Sequence, residues 1–551
     1  MAKNKINRKK PSNATANTTS GHLSVGEVVV KTLEDLGVTE VFGIPGNHTV
    51  ELYRGLSQTR IRHTTTRHEQ GATFMADGYA RATGRPGVCF LISGPGFLNG
   101  ATRNTQAQQD NNTLLVITTL SGSTTSFGHL HQMPDQVLAS KGMAKAVITI
   151  NNATSVSRKI REAYRLATTP SPGAVVVQVH VDVLGREATF SKKSEPREPK
   201  PESSWPGTKT VARALRQAKR PLILVGGGAR RCPETKTLAE RMDAPVICTT
   251  NGKGIVPYSH PLSTGGSPSL PCLKRAIAQA DLVLALGTEL GETDYDLLMN
   301  HTPEPKGRII AINVAQHAIG GLTKQDHIRA RVEDWVGHLL KTLPQARKRG
   351  SQRARTLRSQ ILNEHHYHAD FEAFFDAIKR AAPDLILVGD STRPTYYATW
   401  MYECELPGRY FHSVSGFGTL GYAIPAAFGA RTGTSLPVVA LIGDGGAQFS
   451  LTEIATAVDN KLGVPIIIWQ NQGYEEITNS LGARGVGSSS TRISAPDYRK
   501  IAEAYGIKAI SCKSTEGLTR AIRQTLKESL PSLILVQQDD FIHRASGEWY
   551  G

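Results

Sequence analysis

Along most of the chain, short runs of consecutive apolar residues alternate with longer, helix-length segments. Glu40–Ile44, Val88–Ser93 and Leu114–Thr118 form the first set of such runs. A run without polar alternation predicts a strand buried on both faces, and strands of that kind between helices predict a parallel sheet covered on each side. Ser24, followed three residues later by Glu27, marks the start of a helix over 24–36, because each side chain can satisfy the other's backbone amide. The alternation returns in Pro221–Gly228, Ala244–Cys248, Leu282–Gly287 and Arg308–Asn313. It returns again in Leu385–Gly389, Val438–Ile442, Pro465–Trp469 and Leu533–Val536.

Two polar stretches separate these sets. Residues 186–206 are rich in proline and charge, and 343–365 are basic and poor in apolar positions, with a helical pattern over 343–360. The expected fold is therefore α/β, with three doubly wound parallel-sheet domains at 23–185, 207–342 and 366–551, joined by linkers at 186–206 and 343–365. The first and third share a similar length and rhythm. Residues 1–22, rich in Asn, Thr and Ser, are expected to be a disordered tail without the apolar core of a signal peptide.

Composition narrows the class of protein. With 39% hydrophobic residues over 551 positions the chain reads as globular, and no apolar run approaches the ~20 residues that cross a bilayer. The six cysteines are scattered without a CxxC pair, which argues against a disulfide framework or zinc site and fits a reducing cytosol. The net charge of +17 includes Lys3, Lys5, Arg8, Lys9 and Lys10, which lie before the first acid, Glu27. No basic stripe with interleaved aromatics accompanies that charge, so it reads as a surface favouring anionic substrates and not as a nucleic-acid site.

The chemistry concentrates in the third set. Gly443-Asp444-Gly445 follows the strand Val438–Ile442 directly, at the end of a parallel strand where ligands bind. The glycines, with Gly446, let backbone amides approach a phosphate, and a following helix from about Leu451 offers its positive end. Asp444 supplies a hard oxygen for Mg²⁺. The strand Pro465–Trp469 ends in Gln470-Asn471-Gln472-Gly473-Tyr474, where the Asn471 side chain and the Gly473 carbonyl add two more oxygens. Few protein ligands beside a diphosphate is the coordination that Mg²⁺ favours.

At this point the sequence resembles the thiamine-diphosphate enzymes, whose signature is Gly-Asp-Gly followed about 25 residues later by Asn-Asn; here Gln470 replaces the first Asn. Val41–Gly46, Thr66–Ala72, Met75–Ala80 and Ser93–Gly96 resemble the pyrimidine-binding domain of the acetolactate synthase and 2-oxo acid decarboxylase family. Gly416–Gly421 with Ile424–Ala427 is similar to its cofactor-shaping segment. The likeness runs from about Leu23 to Gln537. It implies that Glu69 hydrogen-bonds the aminopyrimidine and promotes its imino tautomer, with Pro45 and Gly46 nearby. Gly418 would accept the 4′-amino group, while Thr419 and Leu420 would support the bent cofactor. Asp390, Ser391, Thr392, Gly443, Gly445, Gly446 and Tyr474 would surround the diphosphate, and Asp444, Asn471 and Gly473 would hold Mg²⁺. Because Glu69 and Gly-Asp-Gly lie on different domains, the family pattern implies a homodimer as the minimal active unit, commonly extended to a tetramer.

Within that family the chain resembles 5-guanidino-2-oxopentanoate (2-ketoarginine) decarboxylases, through Tyr53–Leu56, Gly128–Gln136, Leu286–Tyr295 and Asn471–Ile477. Glu475 and Glu476 would offer a carboxylate to a guanidinium, a pairing that suits bidentate geometry; as first-turn acids they would equally favour the helix dipole. His129 and His131, with Gln132 beside them, would line the site as proton donors. Acetolactate synthase-type carboligation of pyruvate is the alternative reaction. A catalytically silent binding protein on the same scaffold is another, though Glu69 and Asp444 are both retained. FAD stays open as a ligand of the middle domain, through Gly226–Gly228, but the acidic stretch from Gly287 to Glu292 argues against it.

Overall fold

The structure is a computed structural model that describes residues 22–123, 131–132, 135–169, 171–192, 207–289, 291, 307–314, 327–364 and 369–543. The expected tail at 1–21, His129 and most of the 186–206 stretch lie outside the described residues.

Three parallel sheets account for the three sets of apolar runs. The first has six strands, in the order Arg62–Thr65, Glu40–Gly43, Gly87–Leu91, Leu114–Leu120, Ala174–His180, Ala146–Ile150. The third also has six, in the order Tyr410–His412, Ile386–Gly389, Val438–Gly443, Pro465–Gln470, Ser532–Gln537, Lys508–Cys512. Numbered along the chain within each domain, both orders read 2-1-3-4-6-5, so the outer domains share one topology. The middle sheet has five strands: Val246–Cys248, Pro221–Val225, Leu282–Leu286, Arg308–Asn313 and His327–Arg329. Central strands such as Leu114–Leu120 and Val438–Gly443 are buried throughout, as their unbroken apolar sequence requires.

Helix Val25–Asp35 starts as its sequence predicts. Ser24 Oγ accepts the Glu27 amide at 3.2 Å and Glu27 returns the bond to the Ser24 amide at 2.6 Å. The basic stretch at 343–365 forms a helix, Gly350–Glu364, held on the middle domain by Arg353 to the Pro221 carbonyl (3.0 Å) and Arg358 to the Ser263 carbonyl (2.7 Å). Basic side chains here bond backbone carbonyls of the middle domain, so the stretch packs although it is poor in apolar residues. The helix expected from about Leu451 begins at Glu453, because Asp444–Ala447 already forms a helical turn at the strand end.

The outer domains share a hydrophobic core that runs from Phe42, Phe74 and Met75 to Ile424, Phe428 and Ile442. Helix Glu69–Thr83 crosses helix Ala423–Gly433 so closely that a Cβ on Gly78 would overlap the Ala426 carbonyl, and one on Gly429 the Met75 carbonyl. A buried ionic group lies along this seam. Asp77 pairs with Arg81 and Arg103, Asp110 pairs with Arg81, and Tyr422 donates to Asp77 at 2.5 Å. Ions this deep persist only when paired, so the seam fixes the register of one outer domain on the other.

Candidate active site

Strand ends of the two outer sheets supply the site residues. In the C-terminal domain, strand Val438–Gly443 delivers Asp444 into the interior, 1% exposed. Its carboxylate accepts the amides of Gly445 (2.8 Å), Asn471 (3.1 Å) and Gln472 (2.8 Å), so the turns after two neighbouring strands converge on one side chain. Burial nevertheless pushes the Asp444 carboxyl above the ordinary carboxylate range, against the pull of those amides. Such a group gains from a nearby cation. Among the described residues no cluster of three or more His, Cys, Asp or Glu could hold a metal ion. A cation at Asp444 would therefore draw its other ligands from amide and carbonyl oxygens, water and the cofactor itself.

Asn471 has its backbone fixed on Asp444, and its side-chain nitrogen donates to Glu475 Oε2 at 2.9 Å. Gly473 makes an antiparallel bridge with Arg492, and the Tyr474 amide donates to the Thr491 carbonyl at 2.9 Å. The Tyr474 ring stands over Gly445, where a Cβ would lie 2.8 Å from it. Asp390, fully buried, takes the amides of Ser391 (3.0 Å), Gly421 (3.2 Å) and Ala423 (2.9 Å), and burial pushes its carboxyl up to about 6. Asp390 thus ties the turn after strand Ile386–Gly389 to the backbone of the Gly421–Ala423 segment. Ser391 Oγ reaches the Thr419 carbonyl at 3.3 Å, and Thr392 Oγ1 lies 2.9 Å from where a Gly443 Cβ would be. At Gly418, with φ of +74°, a Cβ would face open space among the described residues, and Leu420 beside it is half-buried.

In the N-terminal domain, Glu69 opens helix Glu69–Thr83 and is half-buried; its Oε2 accepts Asn99 Nδ2 at 2.9 Å. Its Oε1 lies 3.2 Å from where a Gly96 Cβ would be, while Gly46 and Gly96 both crowd Ile92. The Pro45-Gly46 turn, the Ser93–Gly96 turn and Glu69 therefore meet at the carboxyl edge of this sheet, as a ring-binding pocket requires. His131 is exposed, its ring edge-on to His48 with centroids 6.4 Å apart. His48 Nδ1 lies 2.9 Å from Ser93 Oγ, and Ser93 bonds Gln132, whose φ is +75°. Sequence reasoning missed His48, Asn99 and Arg393. Only His48 carried a signal, its place two residues after Gly46.

Glu475 is engaged within the chain. Both its oxygens take donors from within the chain: Asn471, Arg393 Nη1 at 2.6 Å and Gln538 Nε2 at 3.0 Å. Glu476 is half-buried, and its charge is felt by Tyr396. In the middle domain the Gly226 and Gly228 amides donate to the Leu286 and Gly287 carbonyls, each at 2.9 Å, so this glycine run packs one turn against another.

Three family models match the chain: the thiamine pyrophosphate enzyme N-terminal binding domain at 23–139, its central domain at 208–339 and its C-terminal binding domain at 389–536. The chain belongs to the thiamine pyrophosphate enzymes. A probable 2-ketoarginine decarboxylase of Pseudomonas aeruginosa is 34% identical over 93% of each chain. An acetolactate synthase of Mycobacterium bovis is 30% identical over 91% of this chain and 86% of its own. The isozyme 1 large subunit of acetolactate synthase from Escherichia coli is 28% identical over 93% of each. Both cofactor-binding domains of the thiamine pyrophosphate enzymes are therefore present, and the converging turns described above fall within them. Among the described residues no helix is long and apolar enough to cross a membrane.

Proposed function

We propose that the protein is a thiamine-diphosphate- and Mg²⁺-dependent carboxy-lyase that decarboxylates 5-guanidino-2-oxopentanoate. The observation that carries this reading is the likeness to the probable 2-ketoarginine decarboxylase across 93% of both chains. The cofactor supplies a nucleophilic carbon and an electron sink for the departing carbon dioxide. Asp444, the Asn471 side-chain oxygen and the Gly473 carbonyl hold Mg²⁺, with Gly443, Gly445, Gly446, Ser391 and Thr392 around the diphosphate. Glu69, near Pro45 and Gly46, would hold the proton exchanged with the aminopyrimidine ring of the bound cofactor. Gly418, Thr419 and Leu420 shape the space between the domains.

His131 and His129 return a proton to the product carbon. Glu476 and Gln132, with Glu475, are the side chains proposed near the substrate, and the engagement of Glu475 by Arg393 and Gln538 weighs against a direct role for it. The active unit is a homodimer or tetramer, a reading supported by Leu98, Phe417, Phe449 and Ile477, all near the site segments and each 46–55% exposed. FAD is not required by this reading, and the engaged Gly226 and Gly228 amides weigh against its binding there. The buried, unpaired cysteines support a cytosolic setting.

Carbon dioxide release is measured with both cofactors, on the guanidino acid, pyruvate, and branched and aromatic oxo acids, beside Glu69→Gln. A clear preference for the guanidino acid, lost in the variant, is expected. Acetolactate accumulating from pyruvate would establish the synthase reading instead, in keeping with the 30% identical relative.

A further inference from the structure

Asn471 is an amide, and an amide can present either its oxygen or its nitrogen to a neighbour. A ligand for Mg²⁺ must present oxygen. Its backbone N–H is already committed to Asp444 Oδ2 (3.1 Å), which leaves rotation of the side chain to decide. Glu475 lies four residues on, in the first turn of helix Glu475–Gly482, with Oε2 at 2.9 Å from Asn471 Nδ2. An ionised carboxylate only accepts, so the nitrogen faces Glu475 and the oxygen turns away from it.

Glu475 is itself fixed from behind. Arg393, 2% exposed, directly follows Thr392 and reaches Oε1 at 2.6 Å. Gln538 reaches the same oxygen at 3.0 Å while its own carbonyl accepts Trp469 Nε1 at 3.0 Å. Those partners come from beyond strands Ile386–Gly389 and Ser532–Gln537 and from within Pro465–Gln470. Two residues from beyond separate strands of one sheet, Arg393 and Gln538, thus anchor a carboxylate that contacts Asn471, and Trp469 on a third strand steadies Gln538.

We propose that Glu475, held by Arg393 and Gln538, is the positioning residue that locks the Asn471 amide with its oxygen toward the metal. This rests on the Mg²⁺ reading above, and it assigns Glu475 to the metal and not to the substrate's guanidinium. A partner that orients a metal ligand typically changes metal affinity by about 10–100-fold.

Binding of Mn²⁺ to the full chain with saturating thiamine diphosphate is read by electron paramagnetic resonance, for wild type, Glu475→Gln and Glu475→Asp. Glu475→Asp keeps a charge beside Arg393 but is too short to reach both partners, so it serves if Glu475→Gln fails to fold. The apparent Kd for Mn²⁺ is expected to rise about 10–100-fold in the variants. At saturating metal the KM for the guanidino acid should stay within about threefold. An unchanged Kd in folded variants overturns the inference, and a rise in KM alone would place Glu475 at the substrate. Wild type that binds no Mn²⁺ with the cofactor would instead overturn the Mg²⁺ reading beneath it.

Discussion

The two outer domains share a strand order, yet their rims are built differently. On the C-terminal rim Asp390 and Asp444 are buried and receive three backbone amides each. On the N-terminal rim Glu69 is half-buried, with one side-chain bond to Asn99, and His131 is exposed. One topology thus carries a fixed half and an open half. Under the proposed function the diphosphate and its metal would be the same in every turnover, so their half could be rigid. A group that moved protons would need access to the ring and to the reacting carbon, so its half would stay more open.

The largest expected effect separates the halves. Asp444→Ala removes the side chain on which both turns converge; cofactor-dependent turnover should fall roughly a thousandfold or more, with metal binding lost as well. Glu69→Gln should lower turnover by about 10²–10⁴-fold, the usual range for a general acid–base group, while the cofactor still binds and the melting temperature is unchanged. Calorimetric titration of the cofactor with each variant checks the contrast. Equal loss of binding in both would mean that the rims are built alike.

The fixed half was the legible half. Gly443-Asp444-Gly445 and Asn471-Gln472-Gly473 are contiguous in sequence, and their geometry follows from two strand ends side by side. Mostly apolar strands such as Leu114–Leu120 are equally plain, whereas Arg62–Thr65 and Lys508–Cys512, mixed in polarity and only partly buried at sheet edges, do not stand out. Glu475 was legible as an acid near the site but not in its role. That role depends on Arg393, 82 positions away in the chain, and no local pattern records such a pairing.

Glu453 joins the halves and gives the next effect. It belongs to the C-terminal domain and is 1% exposed, yet it accepts the amides of Arg67 (3.1 Å) and His68 (2.9 Å), just ahead of Glu69. Gly71 is glycine because a Cβ there would overlap this carboxylate. Hydrogen bonds to a charged group contribute about 1.5–3 kcal/mol each, so Glu453→Gln should destabilise the chain by about 2–4 kcal/mol. Turnover should drop about tenfold as the first turn of the helix loosens. Denaturant midpoints and kcat, measured together, test this. Lost stability with unchanged turnover would show that Glu69 needs no anchoring from the other domain.

The smallest effect probes how dry the fixed half is beneath the Gly416–Leu420 segment. His412 is buried; its Nδ1 accepts the Val414 amide at 3.0 Å, which places its proton on Nε2, 3.4 Å from Thr399 Oγ1. Burial, reinforced by the charges of Arg81 and Lys253, pushes this imidazole from 6.5 down to about 3. The folded pKa lies below the unfolded one, so the neutral ring's contribution is complete above about 6.5 and is lost as the pH falls toward 3. Within that window the unfolded chain binds one proton more than the folded chain at this site. Stability should therefore fall with decreasing pH at up to about 1.4 kcal/mol per unit from His412 alone. His63, pushed by burial to about 4, adds a second slope of the same sign. Chemical unfolding at pH 7.5 and 5.0 should show a shallower dependence in His412→Gln, by about 0.6 proton averaged over that interval, or roughly 2 kcal/mol in all. An unaltered slope would mean that water reaches His412 in the folded protein, and that this part of the C-terminal domain is as open as the rim carrying Glu69.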